Sequence, residues 1–153
     1  MANQDLRKST RHSKIAGDYG EYLILYELSR QGYECARVDH TGIDIIARHP
    51  SKSQVMGISV KTRTRDLKTK EDTLNISRSE IPKVDFACQA FKCQPYFALI
   101  IDQVDIIRGF LLSKKLLLKY GGSGQKVLAW KMSDSWIKEY ETNNSIQKIS
   151  FTR

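Results

Sequence analysis

The stretch GIDIIARHPSKSQVMGISVKTR, residues 42–63, constrains the fold more than any other part of the chain. Two apolar runs of strand length flank PSKSQ, a cluster of turn and polar residues, so the stretch predicts two neighbouring strands rather than a helix. A period of two puts Asp44 and Ile46 on one face of the first strand, with Ile43, Ile45 and Ala47 on the other. On the second strand it sets Gly57, Ser59 and Lys61 against Met56, Ile58 and Val60. Both strands thus carry polar groups in half-buried positions. A carboxylate or ammonium is costly to bury without a partner, so Asp44 and Lys61 point to a shared site.

Upstream, residues 15–30 read as a helix with Ser13 as its N-cap and Gly32 as its terminator. Gly17, Glu21, Ile24, Leu25 and Leu28 fall on one side at helical spacing, which sets Glu21 beside an apolar stripe; Asp18, Tyr22, Glu27 and Arg30 mostly face elsewhere. Gly17 and Gly20 give up helix propensity, as a close approach to a sheet or ligand would require. YECARV predicts a strand, and DHTG the turn into GIDIIARH. If the two following strands form a hairpin, both polar sets can point toward the helix that carries Glu21.

Farther along, KTRTRDLKTKEDT reads as an exposed loop and LNIS as a short strand. Ser79 is placed to cap a helix that begins near Glu80, tolerates Pro82 in its first turn and runs through VDFACQAF. Residues 96–101 form an apolar strand with VDIIRGFLL as its neighbour, and SKKLLLKYG a short helix ended by Gly121 and Gly122. GGSG lacks the strand, lysine and hydroxyl context of a phosphate loop. The tail, with Trp130 and Trp136, is expected to add a strand and a final turn.

A chain of 153 residues fits one globular domain, here a basic flexible segment 1–14 followed by a single domain 15–153. The longest apolar run, FLLSKKLLL, is broken by two lysines, so no membrane span is expected, and MANQDLRKSTRHSK lacks the apolar core of a signal peptide, which makes a cytoplasmic location the expectation. Cys35, Cys88 and Cys93 have neither CxxC spacing nor suitably arranged histidines and read as free thiols. The net charge of +8, from 25 Lys and Arg against 17 Asp and Glu, favours a polyanionic partner.

GDYGEYLILYELSRQGY, then GIDIIA, then GISVKT resembles the core of the PD-(D/E)XK nuclease superfamily, which includes restriction-endonuclease-like proteins and archaeal-type Holliday junction resolvases. The likeness covers residues 15–62 and extends less closely over 80–112. It implies an α/β fold with a restriction-endonuclease-like core, a central mixed β-sheet flanked by helices. The implied activity is Mg²⁺- or Mn²⁺-dependent hydrolysis of DNA phosphodiester bonds, in duplex or branched DNA, by a chain that acts as a homodimer when it reads a junction. Carried over by motif, the acid of the first helix is Glu21, the strand aspartate Asp44, and the acid-x-lysine pair Ser59 and Lys61. Asp44 becomes the principal metal ligand, Glu21 a second acid that also fixes Lys61, Ser59 a weak or water-mediated ligand, and Lys61 the phosphate-facing cation. Arg63, Arg65, Lys68 and Lys70, just beyond the site strand, are expected to hold the DNA backbone.

Ser59 departs from the family pattern, since a neutral hydroxyl binds magnesium less well than a carboxylate. Compensation would have to come from Glu80, Asp39 or Glu21. His40 reads as an ordinary turn residue. Two other readings compete: a nuclease-fold domain that binds DNA without cutting it, and a basic protein-interaction domain. An ion network without chemistry would also explain Lys61.

Overall fold

The two strands expected in residues 42–63 pair as an antiparallel hairpin, β2 (Ile45–Arg48) against β3 (Val55–Thr64), with Ile45 opposite Ile58 and Ala47 opposite Met56. The computed structural model describes residues 7–65 and 73–153. Ahead of the hairpin come α1 (His12–Arg30) and β1 (Glu34–Arg37); behind it come β4 (Thr73–Ser77), α2 (Glu80–Phe91), β5 (Gln94–Asp102), β6 (Ile106–Ser113), α3 (Lys114–Tyr120), β7 (Val127–Lys131), α4 (Asp134–Thr142) and β8 (Gln147–Thr152). The main sheet has the order β1-β2-β3-β5-β6-β8, with β3 and β5 parallel and the other pairs antiparallel. This is the central mixed sheet flanked by helices that the sequence implies. Among the described residues no helix is long and apolar enough to cross a membrane.

Helices cover both faces, and the side-chain parity of β5 divides the core between them. Ala98 and Ile100 pack with Leu23, Ile24 and Leu28 of α1, whereas Phe97, Leu99 and Ile101 pack with Val84, Ala87 and Cys88 of α2. A strand buried on both sides needs a continuous apolar run, which is what FALII supplies. Cys88 and Cys93 are buried free thiols on the α2 side, and Cys35 is a half-buried one. Burial, reinforced by a hydrogen bond with Cys93, pushes the Cys88 thiol up to about 12, so it is a packing group and not a ready nucleophile.

Several expectations are corrected. Helix α1 starts at His12, one turn early, and its N-cap is Arg11 without a side-chain hydrogen bond, so Ser13 lies inside the helix. Ser79 does occupy the cap position of α2, but its hydroxyl pairs with Ser77 at 2.7 Å instead of capping. The tail is larger than a strand and a turn: β7 joins β4 in a separate antiparallel pair, Trp130 stacks on Tyr140 of α4 with ring centres 3.9 Å apart, and β8 closes the main sheet.

Of the two glycines in α1, only Gly20 makes a close approach; an added Cβ would overlap Thr62 Oγ1 and press on Ile100, while one at Gly17 would meet nothing. Both substitutions to Ala gain helix propensity, worth about 0.5–1 kcal/mol. Gly17→Ala is therefore expected to raise the denaturant midpoint. Gly20→Ala should lower it, because overpacking against β3 costs about 1–3 kcal/mol. Equal midpoint shifts for the two variants would contradict this packing.

Candidate functional site

Asp44 sits just before β2 starts, at a bend where the chain crosses the sheet. Ile43 packs on the α2 side and Ile45 on the α1 side, so strict alternation breaks at Asp44 and Ile43 does not share a face with Ile45 and Ala47. Gly42, at φ +117°, makes the crossing possible: its missing side chain lets the loop lie against the backbone of Lys83 in α2, a position an L side chain resists. The backbone of Asp44 bonds both neighbours, accepting from Val38 N at 2.9 Å and donating to Ile58 O at 2.8 Å. Its side chain then continues the ladder, with Oδ2 accepting from Val60 N at 2.7 Å. The carboxylate is thereby fixed against the residue between Ser59 and Lys61.

Gly57, Ser59 and Lys61 do share one face of β3, but it is the face toward α2. Gly57 lies against the thiols of Cys88 and Cys93, and Lys61 Nζ donates to Glu80 Oε2 at 3.2 Å at the start of α2. Thr62, of opposite parity, meets Gly20 of α1. The expected convergence of Ser59 and Lys61 on α1 is corrected accordingly. Ser59 is only 2% exposed, whereas the Lys61 and Glu80 side chains keep 22% and 28% of their surface. Lys83 Nζ stands 3.9 Å from the other Glu80 oxygen.

Glu21 belongs to a different group. Its Oε2 accepts from Arg37 Nε at 2.7 Å and lies 2.6 Å from Arg37 Nη2, which also reaches Asp18 at 3.2 Å. The Arg37 guanidinium stands over the Tyr22 ring, 4.6 Å from its centre. Glu21 therefore does not fix Lys61; Arg37 holds it. An arginine on an edge strand is ordinary in a sequence, and the signal for Arg37 lies in Asp18 and Glu21, two acids three apart in the helix that both reach it. Burial raises the Glu21 carboxyl above its ordinary 4.5; the Arg37 hydrogen bond opposes this and the charge of Asp44 adds to it.

That shift has a defined sign. Folding favours protonated Glu21, so its contribution to stability is complete below 4.5 and is lost as pH rises through the folded value. Stability measured by denaturant across pH 4 to 7 should therefore fall with rising pH relative to Glu21→Gln. The opposite trend would mean that Arg37 outweighs burial.

The remaining candidates fall as follows. Asp39 is exposed, and His40 keeps the turn role expected of it, Nδ1 lying 2.8 Å from Thr41 O and its ring edge-on to Phe91. Arg63 donates to Thr62 O at 2.9 Å and Arg65 to Thr73 O at 2.7 Å. Lys68 and Lys70 lie outside the described residues. Among the described residues, no three His, Cys, Asp or Glu side chains gather into a metal cage. Glu80 meets the Lys61 ammonium, and Asp44 is held on the backbone amide of the preceding residue, Val60. Magnesium takes one or two carboxylates and keeps several waters, and Asp44 and Glu80 are donors of that chemical kind.

Comparison with known proteins bears on the fold. No protein-family model matches the sequence, and no curated protein does. Among solved structures, the chain is similar to the Holliday junction resolvase Hjc from the archaeal hyperthermophile Archaeoglobus fulgidus, at TM-score 0.58 and 22% identity, over 80% of this chain and 88% of that one. That likeness is one of fold. A restriction endonuclease in complex with substrate DNA is similar at TM-score 0.40 and 11% identity, over 99% of this chain and 76% of that one. In this fold, the α1-β1-β2-β3 unit carries Glu21, Asp44 and Lys61, and α2 adds Glu80.

Proposed function

We propose that the chain is a metal-dependent endonuclease that hydrolyses phosphodiester bonds in DNA, duplex or branched, with Asp44, Lys61 and Glu80 as its working centre. The observation that carries this reading is the 3.2 Å contact of Lys61 with Glu80, on the strand whose Val60 amide holds Asp44. Glu80 is then the acid that compensates for Ser59.

Asp44 and Glu80 are the carboxylates that would hold Mg²⁺ or Mn²⁺, and the ion would polarise a phosphoryl oxygen and lower the pKa of the attacking water. The side chains have separate tasks. Asp44, with one oxygen committed to Val60 N, presents the other at fixed orientation. Glu80 holds the Lys61 ammonium in place, and that ammonium offsets the charge that develops on a nonbridging phosphate oxygen. Ser59, almost fully buried, supplies a neutral and small floor. Glu21 acts from the other side of Asp44, where its charge and the Arg37 guanidinium set the local field.

The rival reading, a DNA-binding domain without hydrolysis, draws on the buried Ser59 and on the lack of a three-ligand cluster among the described residues. A panel of duplex, nicked and branched DNA incubated with Mg²⁺, with Mn²⁺ or with EDTA separates the two. Nuclease function requires metal-dependent cleavage of at least one substrate that Glu80→Gln slows at least tenfold. Binding to the panel without cleavage under any metal would favour the rival. A homodimer would offer two such centres to a branched substrate, and its mass in solution is measurable by sedimentation.

A further inference from the structure

The parallel strands β3 and β5 end together, Thr64 in register with Asp102. Open α/β sheets take ligands in the crevice beyond the carboxyl ends of such strands. At that place the surface is indented by two adjoining depressions of about 300 and 380 Å³, which share Lys8, Ser9, His12 and Thr64. Basic side chains reach this cleft from widely separated parts of the chain: Arg7 and Lys8 before α1, His12 in its first turn, Arg63 and Arg65 at the end of β3, and Arg153 at the far end of the sequence.

The cations are held in place. Lys8 Nζ donates to Thr64 O at 3.2 Å, and His12 Nε2 lies 3.0 Å from Thr64 Oγ1, so the start of α1 is tied to the end of β3. Asp102 is the one carboxylate among the described residues that line the cleft, and Arg153 grips it through two bonds of 2.7 and 2.8 Å. Burial pushes the Asp102 carboxyl up, but the Arg153 and Val104 hydrogen bonds and the charges of Arg153 and His12 hold it below its ordinary value. Its charge is thus matched from within. Val104, a β-branched residue at φ +72°, is clamped in the left-handed region between Asp102 Oδ1, which accepts from its N at 3.0 Å, and Arg153, which donates to its O at 2.6 Å. Strained positions of this kind gather at ligand clamps. Helix α1 adds its positive end, with no acid in its first turn and no side-chain cap.

From this we infer that the cleft holds the sugar-phosphate backbone of a nucleic acid, a few nucleotides from the phosphate that faces Lys61; the inference rests on the proposed function. Lys61 and Thr64 are three residues apart on β3, about 10 Å. One strand of a duplex advances about 3.4 Å per nucleotide along the helix axis, so a path between the cleft and the Lys61 ammonium, on opposite faces of the sheet, spans several nucleotides. A backbone that runs over the open ends of β3 and β5 reaches the cleft on the α1 side and Lys61 on the α2 side. An array of cations spread over two depressions suits successive phosphates better than a single small anion, and such contacts carry no sequence preference.

The test is DNA binding in EDTA, which separates binding from cleavage, by fluorescence anisotropy of a labelled duplex over a salt series with the full-length protein. The double variant Arg7→Ala, Lys8→Ala is expected to bind at least tenfold more weakly than the parent, and its slope of log affinity against log salt should be shallower by about 2. The double variant Lys115→Ala, Lys119→Ala, with both lysines at another depression, is the control and should keep the parent's slope. Equal slopes for the two double variants would overturn the cleft, even if the parent cuts DNA. A parent that shows the cleft-dependent slope and cuts nothing would leave the cleft standing and remove the nuclease. No duplex binding at low salt would overturn the cleft and leave the nuclease to the branched substrates.

Discussion

Lys61→Ala is expected to slow DNA cleavage by about 10²–10³-fold, the usual cost of removing one group that stabilises developing charge, while duplex affinity changes by less than about tenfold. Lys61 is half-buried, bonded to Glu80 and adjacent in sequence to the amide that holds Asp44. Its charge is therefore held in one orientation and requires little reorganisation as the phosphate becomes more negative. Stability should change little, because a partly exposed ion pair contributes only about 0–1 kcal/mol. Lys61→Arg should not rescue the rate, since a planar guanidinium presents its charge in a different geometry from a compact ammonium. Single-turnover cleavage with saturating protein reads the effect apart from binding. A Lys61→Ala protein that cuts within threefold of the parent would exclude this lysine from the chemistry and leave only its pairing with Glu80.

Asp44 is expected to separate structure from chemistry through two substitutions. Asp44→Ala leaves the Val60 N–H without its acceptor in a half-buried position, which costs about 1–3 kcal/mol. Asp44→Asn keeps an amide oxygen there and should stay within about 1 kcal/mol of the parent. Both lose the anionic oxygen aimed away from Val60, and cleavage should fall by 10³-fold or more, as is typical when a metal ligand and its field are removed together. Denaturant unfolding reads the first effect and single-turnover cleavage the second. An Asn variant that is as active as the parent would show that Asp44 is a strand-terminating device only.

The hairpin and the start of α2 were legible because local rules determine them. Alternation and the PSKSQ break define β2 and β3, and Ser79, Glu80 and Pro82 mark the helix start even though the Ser79 hydroxyl turns elsewhere. Parity correctly placed Ser59 and Lys61 on one face, but parity cannot say which helix covers that face. That depends on how β5 returns parallel to β3 and on where α2 lies, both of which are non-local. The break at Asp44 was hidden for a similar reason: Gly42 takes its unusual conformation because Lys83, 41 residues later, packs on it. The tail was only partly readable, since β7 finds its partner in β4, more than 50 residues earlier, and Trp130 finds Tyr140. Glu80 was one of three compensating acids that the sequence allowed; it is the one that meets Lys61, whereas Glu21 lies on Arg37 and Asp39 is exposed.

In the proposed site, Asp44 and Glu80 would hold one divalent ion next to Lys61, in spite of Ser59 on the strand. Calorimetric titration of the folded protein with Mn²⁺ tests it without any assumption about substrate. A single site is expected in the parent, with its loss in Asp44→Asn and at least tenfold weaker binding in Glu80→Gln. A parent that binds no Mn²⁺, or one whose binding is unchanged by both substitutions, would contradict it.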